Sequence, residues 1–147
     1  MVSKFFDSVI ANWKRELDTW GHFAVSIYQG SEKEKQLYDI RDGINDIMIC
    51  GKALFIDKAH FASIGEVPWK LIIVDEFHEF KTRASNSSDL LLCLRDKVNC
   101  PILGLTGTLM PNNHKELWSL IDLVQPNHLG SLKDFNKIIS RPIKHGR

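Results

Sequence analysis

The chain has 147 residues, 44% of them hydrophobic and 25% charged, with a formal net charge of +1. That is enough apolar material for a core and too much for a disordered segment, and the near-neutral balance excludes a strongly basic nucleic-acid-binding tail while leaving room for a local basic patch. No apolar run approaches bilayer-spanning length, Met1 to Phe6 lack the apolar core of a secretory signal, and the three scattered cysteines, Cys50, Cys93 and Cys100, form no CxxC pair, so the expectation is reduced thiols in a cytosolic or nuclear setting, no structural zinc and no membrane partner.

Short apolar runs alternate with helical patterns along the chain, as in βαβ units with a parallel sheet. A first helix is predicted over Ser8 to Trp20, with Trp13, Leu17 and Trp20 on one face and Gly21 ending it. Ala24 to Tyr28 reads as a strand. Ser31 with Glu34 makes a capping box for a helix through Ile40. Asp46 to Cys50 reads as a strand and Lys52 to Ser63 as one helix. Leu71 to Val74 is continuously apolar and β-branched, as expected of a strand covered on both faces. Ser85 to Ser88 is a polar loop, and Asp89 to Lys97 a helix with a leucine-rich face. Ile102 to Leu105 is another buried strand. A helix runs from Glu116 to Val124, capped by Asn113 with Glu116 and followed by Pro126. From Asn127 onward the chain is polar, and no second domain is visible. Trp13, Trp20 and Trp69 are expected in the core rather than stacked on bases, and His60 is expected to be structural or exposed rather than a ligand.

Two strand ends carry chemistry. Leu71-Ile72-Ile73-Val74 runs straight into Asp75 and Glu76, then Phe77 and His78. Ligands of open parallel sheets lie beyond the carboxyl ends of the strands, and two carboxylates there suit phosphoryl transfer: one to hold magnesium, one to orient or deprotonate water. By itself the segment is equally an apolar strand whose acids cap the next helix. About thirty residues on, Leu103-Gly104-Leu105-Thr106-Gly107-Thr108 ends a second strand. Gly107 permits a tight turn and the two hydroxyls can bond a neighbouring loop or a phosphate; alone, it reads first as an ordinary turn whose threonines satisfy the backbone.

Taken together, VDEFHEFK, LGLTGTLMPNNHKELWSLIDLVQP and DFNKIISRPIKHG resemble the Swi2/Snf2 helicase-like DNA-dependent ATPases, with the flavour of the Cockayne-syndrome-B-like repair branch. That family has a DEAH-type box, a strand ending LTGTP-x-QNN, then ELW-x-L and a Phe-x-x-x-F-x-x-PI-x-x-G tail. Asn12-Trp13-Lys14-Arg15-Glu16-Leu17 extends the likeness upstream. The resemblance implies an α/β, RecA-like lobe, with a parallel sheet between helices on both faces. It implies that Asp75 assists magnesium, that Glu76 is the general base for ATP hydrolysis, and that His78 couples this box to Thr106 and Thr108. Thr106, Gly107, Thr108 and Asn112 form the coupling motif, with Asn112 at the family's QN asparagine. Lys81, and with it Lys52 and Lys14, are the DNA-binding candidates. The implied cofactors are ATP and magnesium, the partner duplex DNA, and the location nuclear.

Departures accompany the match. Phe77 stands where the family has Ala or Gly, beside the two acids. Leu109 and Pro111 replace a Pro and a Gln, and Thr82 replaces an Asn. Cys50-Gly51-Lys52-Ala53 replaces a hydroxyl-rich DNA-contacting turn. No Gly-x-x-x-x-Gly-Lys-Ser/Thr phosphate loop occurs, and Gly51-Lys52 is followed by Ala53. Residues 1–147 are therefore expected to form a partial first ATPase lobe that binds no nucleotide tightly alone, lacks the phosphate loop and second lobe normally found in cis, and leaves apolar surface exposed. The competing expectation is a truncated or decayed, non-catalytic copy acting as a DNA- or protein-binding module.

Overall fold

The computed structural model describes residues 3–82, 85–108 and 113–144. The chain divides into two compact units, Met1–Pro68 and Trp69–Arg147, each built around one pair of parallel strands.

In the first unit, helix α1 (Ser3–Trp20) leads to strand β1 (Val25–Tyr28), helix α2 (Lys33–Arg41) and strand β2 (Ile47–Cys50). The strands pair in parallel with Val25 opposite Ile47 and Tyr28 opposite Cys50. A parallel pair needs a crossover, which α2 supplies. The return into β2 is fixed by Asp46. Its backbone N–H donates to the Ala24 carbonyl at 2.8 Å, and its carboxylate accepts from the Ala24 N–H at 2.9 Å. The expected capping box at Ser31 does not form. Gly30–Glu32 is a 3₁₀ turn, α2 begins at Lys33, and no side chain caps it. The single helix expected over Lys52 to Ser63 is two, α3 (Lys52–Phe55) and α4 (Lys58–Ile64). Asp57 divides them, because its carboxylate accepts from the N–H groups of Ala59 and His60 and starts a new helix. Trp20 is 82% exposed, contrary to the core placement expected for it, with its indole N–H donating to Glu16.

The second unit contains strand β3 (Ile72–Val74), a 3₁₀ turn (Phe77–Phe80), helix α5 (Asn86–Val98), strand β4 (Ile102–Gly104) and helix α6 (His114–Val124). Strands β3 and β4 pair in parallel, with Ile73 opposite Leu103. These strands are not covered on both faces as their apolar runs suggested: Ile73 is 52% and Leu103 46% exposed, whereas Ile102 is buried. The buried face is completed by Phe77, Phe80, Leu91, Leu94, Leu120 and Leu123. Ser85 to Ser88 is not a free loop. Ser85 is the N-cap of α5 and accepts from the Ser88 N–H, while the fully buried Ser88 hydroxyl is shared between the carbonyls of Phe80 and Thr82. The polar C-terminal stretch is helical too. Ser131 caps α7 (Leu132–Phe135), a π-helical turn covers Asn136–Ser140, and α8 spans Arg141–Lys144. Among the described residues, no helix is long and apolar enough to cross a membrane and no cluster of three or more His, Cys, Asp or Glu side chains could hold a metal.

The thiols separate by environment. Burial pushes Cys50 up to about 12 from its ordinary 9.0 and raises Cys100, while Cys93 is exposed on α5. The thiolate is the reactive form. Iodoacetamide at pH 8 is expected to modify Cys93 at least tenfold faster than Cys50 or Cys100, read by peptide mass spectrometry. Because the folded state holds the Cys50 proton more tightly, its stabilising contribution is complete below about pH 9. That contribution is lost as the pH rises toward 12.

Candidate functional site

The carboxyl end of β3 is where the acids emerge. Strand pairing continues past the strands themselves: Leu105 N–H donates to the Val74 carbonyl at 2.9 Å, and Phe77 N–H donates to the Leu105 carbonyl at 2.9 Å. Between these bonds the chain bulges outward, leaving Asp75 and Glu76 exposed. Glu76 adopts the left-handed conformation, with φ 47°. A non-glycine residue rarely takes that conformation, and such strain gathers at functional turns. The Asp75 carboxylate stabilises it by accepting from the Glu76 N–H at 2.8 Å.

His78 joins the acid box to the second motif. Its Nδ1 lies 3.1 Å from Thr106 Oγ1 and 3.2 Å from Glu76 Oε2. The contact with Thr106 is a hydrogen bond whose donor is set by the imidazole tautomer, the Glu76 carboxylate lies at ion-pair distance from the same nitrogen, and Thr106 Oγ1 accepts in turn from the Thr108 N–H at 3.1 Å. Hydrogen bonds thus connect His78, Thr106 and Thr108 across the two strand ends. Gly107 is exposed within this loop. Asn112, Leu109 and Pro111 lie outside the described residues, while Asn113 caps α6 by accepting from the Glu116 N–H.

Phe77 does not crowd the acids. Its ring turns inward, is 3% exposed and stacks on Phe80 with centroids 6.0 Å apart. It occupies space that Gly104 leaves empty: a Cβ on Gly104 would lie 2.6 Å from Phe77 Cγ. The bulky third box residue and the glycine of the next strand are a matched pair, so the departure from the usual small residue is absorbed in the core.

The three DNA-binding candidates have different surroundings. Lys14, on exposed α1, pairs with Asp18 one helical turn on at 2.9 Å. Lys52 opens α3 and is half-buried. Lys81 Nζ lies 3.6 Å from Glu116 Oε1.

The first unit holds a network that sequence reasoning did not find. His60 Nδ1 lies 3.2 Å from the Tyr28 hydroxyl and its Nε2 lies 3.2 Å from Lys33 Nζ. An ammonium can only donate, so Nε2 accepts and the Nδ1–H donates to Tyr28. Burial raises the Tyr28 phenol, helped by Cys50, Glu34 and Asp57. Tyr28 and Cys50 end paired strands; no spacing rule links either to His60.

Two adjacent exposed carboxylates cannot by themselves complete a magnesium site, but they fit one that takes its remaining ligands from phosphates and water, the usual magnesium arrangement.

Residues 6–147 match the SNF2-related domain, and the chain belongs to that family. It is 36% identical over 140 residues to mouse DNA excision repair protein ERCC-6-like 2, covering 95% of this chain and 9% of that protein. It is 33% identical over 146 residues to mouse DNA excision repair protein ERCC-6, covering 95% and 9%. Arabidopsis thaliana Switch 2 is 29% identical over 141 residues, covering 95% and 16%. The chain therefore spans a small fraction of the relatives it matches. Among solved structures it superposes on the Sulfolobus solfataricus SWI2/SNF2 ATPase core in complex with dsDNA, with TM-score 0.72, 26% identity, and coverage of 95% of this chain and 28% of that one. The fold is thus that of a RecA-like α/β ATPase core, and the relatives place the chain beside the Cockayne-syndrome-B-like repair branch.

Proposed function

We propose that these residues form the metal- and water-handling edge of a DNA-dependent ATPase lobe of a nuclear DNA-repair or chromatin-remodelling translocase. The observation that carries this reading is the juxtaposition of Asp75, Glu76, His78 and Thr106 at the paired ends of β3 and β4, joined by two hydrogen bonds and a 3.2 Å His78–Glu76 contact. Magnesium-ATP, when bound, supplies the electrophilic phosphorus and neutralises developing charge. Asp75 is the residue to hold the metal. Glu76 orients and deprotonates the attacking water, and His78 keeps Glu76 in register with Thr106. Lys14 and Lys52 are the cations offered to duplex DNA. The residues carry no Gly-x-x-x-x-Gly-Lys-Ser/Thr cradle, so hydrolysis depends on phosphate-binding residues that this chain does not contain.

The purified chain is expected to show no ATP hydrolysis above background, with or without duplex DNA, and Glu76→Gln to behave identically. DNA-stimulated release of phosphate that disappears in Glu76→Gln would overturn the dependence on an outside cradle while establishing Glu76 as the base. Where the chain is joined to a phosphate-loop segment and a second lobe, Glu76→Gln is expected to lower kcat by roughly 100-fold or more.

A further inference from the structure

Residues 132–144 carry four basic residues and one acid, a net +3 in a chain whose formal total is +1. The fold sets three of those cations in a row. Helix α7, the π-helical turn and helix α8 follow one another without a break, and Lys133, Lys137 and Arg141 stand four residues apart along them. In an α-helix each step of four residues runs about 40° past a full turn, so two steps drift by about 80°. The wider π turn over Asn136–Ser140 takes up part of that drift and keeps the three on one side. Burial agrees: Lys133, Lys137 and Arg141 are exposed, whereas Phe135 and Ser140 are 3% and 7% exposed. The one acid is engaged at the start of the stretch, where Asp134 accepts from the Ser131 hydroxyl at 2.6 Å. Among the described residues, none of the three basic side chains has an ion-pair partner. Free cations at regular intervals complement a polyanion of regular charge. The single aromatic residue of the stretch, Phe135, is buried, so the surface suits phosphates and not bases.

We propose that the row Lys133, Lys137 and Arg141 contacts the phosphate backbone of duplex DNA, independently of base sequence and in addition to Lys14 and Lys52. The inference rests on the DNA-binding part of the proposed function and adds a contact to it.

The test is binding of the full chain to a fluorescent duplex of mixed sequence, titrated between about 50 and 200 mM salt. Lys133→Gln, Lys137→Gln and Arg141→Gln are combined in one row variant. Lys14→Gln with Lys52→Gln is a second variant. Lys35→Gln, Lys58→Gln and Lys97→Gln together form a charge control, removing three exposed cations elsewhere. The row variant is expected to weaken binding roughly tenfold or more at the lower salt and to flatten the slope of log K against log salt by about 2–3. The control should shift the slope by less than about one. Should the row variant lose helix by circular dichroism, its three single substitutions decide instead, each expected to flatten the slope by about one. An unchanged slope in the row variant would overturn the proposal; if Lys14→Gln with Lys52→Gln still flattens it, the DNA-binding reading stands without this row. An equal loss in the control also overturns it, because net charge alone would then explain the effect. If the row variant keeps duplex binding but loses binding to polyglutamate, the surface takes an acidic protein and the proposal falls. If the unsubstituted chain binds no duplex at the lower salt, the proposal and the DNA-binding reading fall together.

Discussion

Gly104→Ala is expected to lower the stability of the second unit by about 1–3 kcal/mol, the usual loss when an extra carbon is forced into a filled core. The backbone at Gly104 is not the obstacle, since its φ is not among the positive values. The obstacle is the Phe77 ring, which a Cβ would meet 2.6 Å from Cγ and 2.9 Å from Cε1. That ring cannot swing away freely, because it is buried, stacked on Phe80 and anchored by its own N–H to Leu105. Phe77→Ala should cost about 3–5 kcal/mol through lost burial and the cavity left behind. The double variant is the sharper measurement. Removing the ring relieves the clash, so the two losses should sum to about 1–2 kcal/mol more than the double variant loses. Urea midpoints for the four chains test this; strict additivity would show that Phe77 and Gly104 do not share the space assigned to them. The same pair bears on the site, because Phe77 sits between Glu76 and His78. A ring displaced by Gly104→Ala should therefore disturb the His78–Thr106 bond as well as stability.

The parts of the molecule that could be read from sequence are those whose signal is local. The acids at Asp75 and Glu76 and the hydroxyls at Thr106 and Thr108 end apolar runs, and parallel pairing of β3 with β4 brings them together. The family likeness supplied the link through His78, which the geometry then gave partners. Other features depended on contacts distant in the chain. Phe77 stood out as a bulky residue beside two acids where the family has Ala or Gly, and only the absent side chain of Gly104 shows where its ring goes. The break between α3 and α4 turned on whether Asp57 would cap or merely face solvent. Ser31 with Glu34 had the spacing of a capping box, but the positive φ of Gly30 sends the chain into a 3₁₀ turn first. The Ile73 and Leu103 exposures were hidden for another reason. An apolar run states that a face can be covered, and says nothing of whether the described residues cover it.

Trp118 is the second position where a single change should be felt throughout its unit. It is buried on α6, yet apolar burial is only part of its contribution. Its indole N–H donates to the Gly130 carbonyl at 3.0 Å, reaching across the turn that follows α6. That turn contains two left-handed residues, Asn127 and Gly130, and the buried Asp122 accepts from the Asn127 N–H at 2.8 Å. The indole and the carboxylate thus share the task of holding an unfavourable backbone course. Trp118→Phe keeps most of the ring and removes the donor, leaving the Gly130 carbonyl short of that partner; a loss of about 1–3 kcal/mol is expected. Trp118→Ala adds the cavity and should cost about 3–5 kcal/mol or more. If Trp118→Phe melted with the unsubstituted chain while Trp118→Ala fell by the full amount, the bond to Gly130 would be incidental and packing alone would seat the helix. The distinction reaches the site because α6 carries Glu116 two residues before Trp118. A helix that shifts on its seat moves the Glu116 carboxylate, which lies 3.6 Å from Lys81 at the end of the turn that follows Glu76.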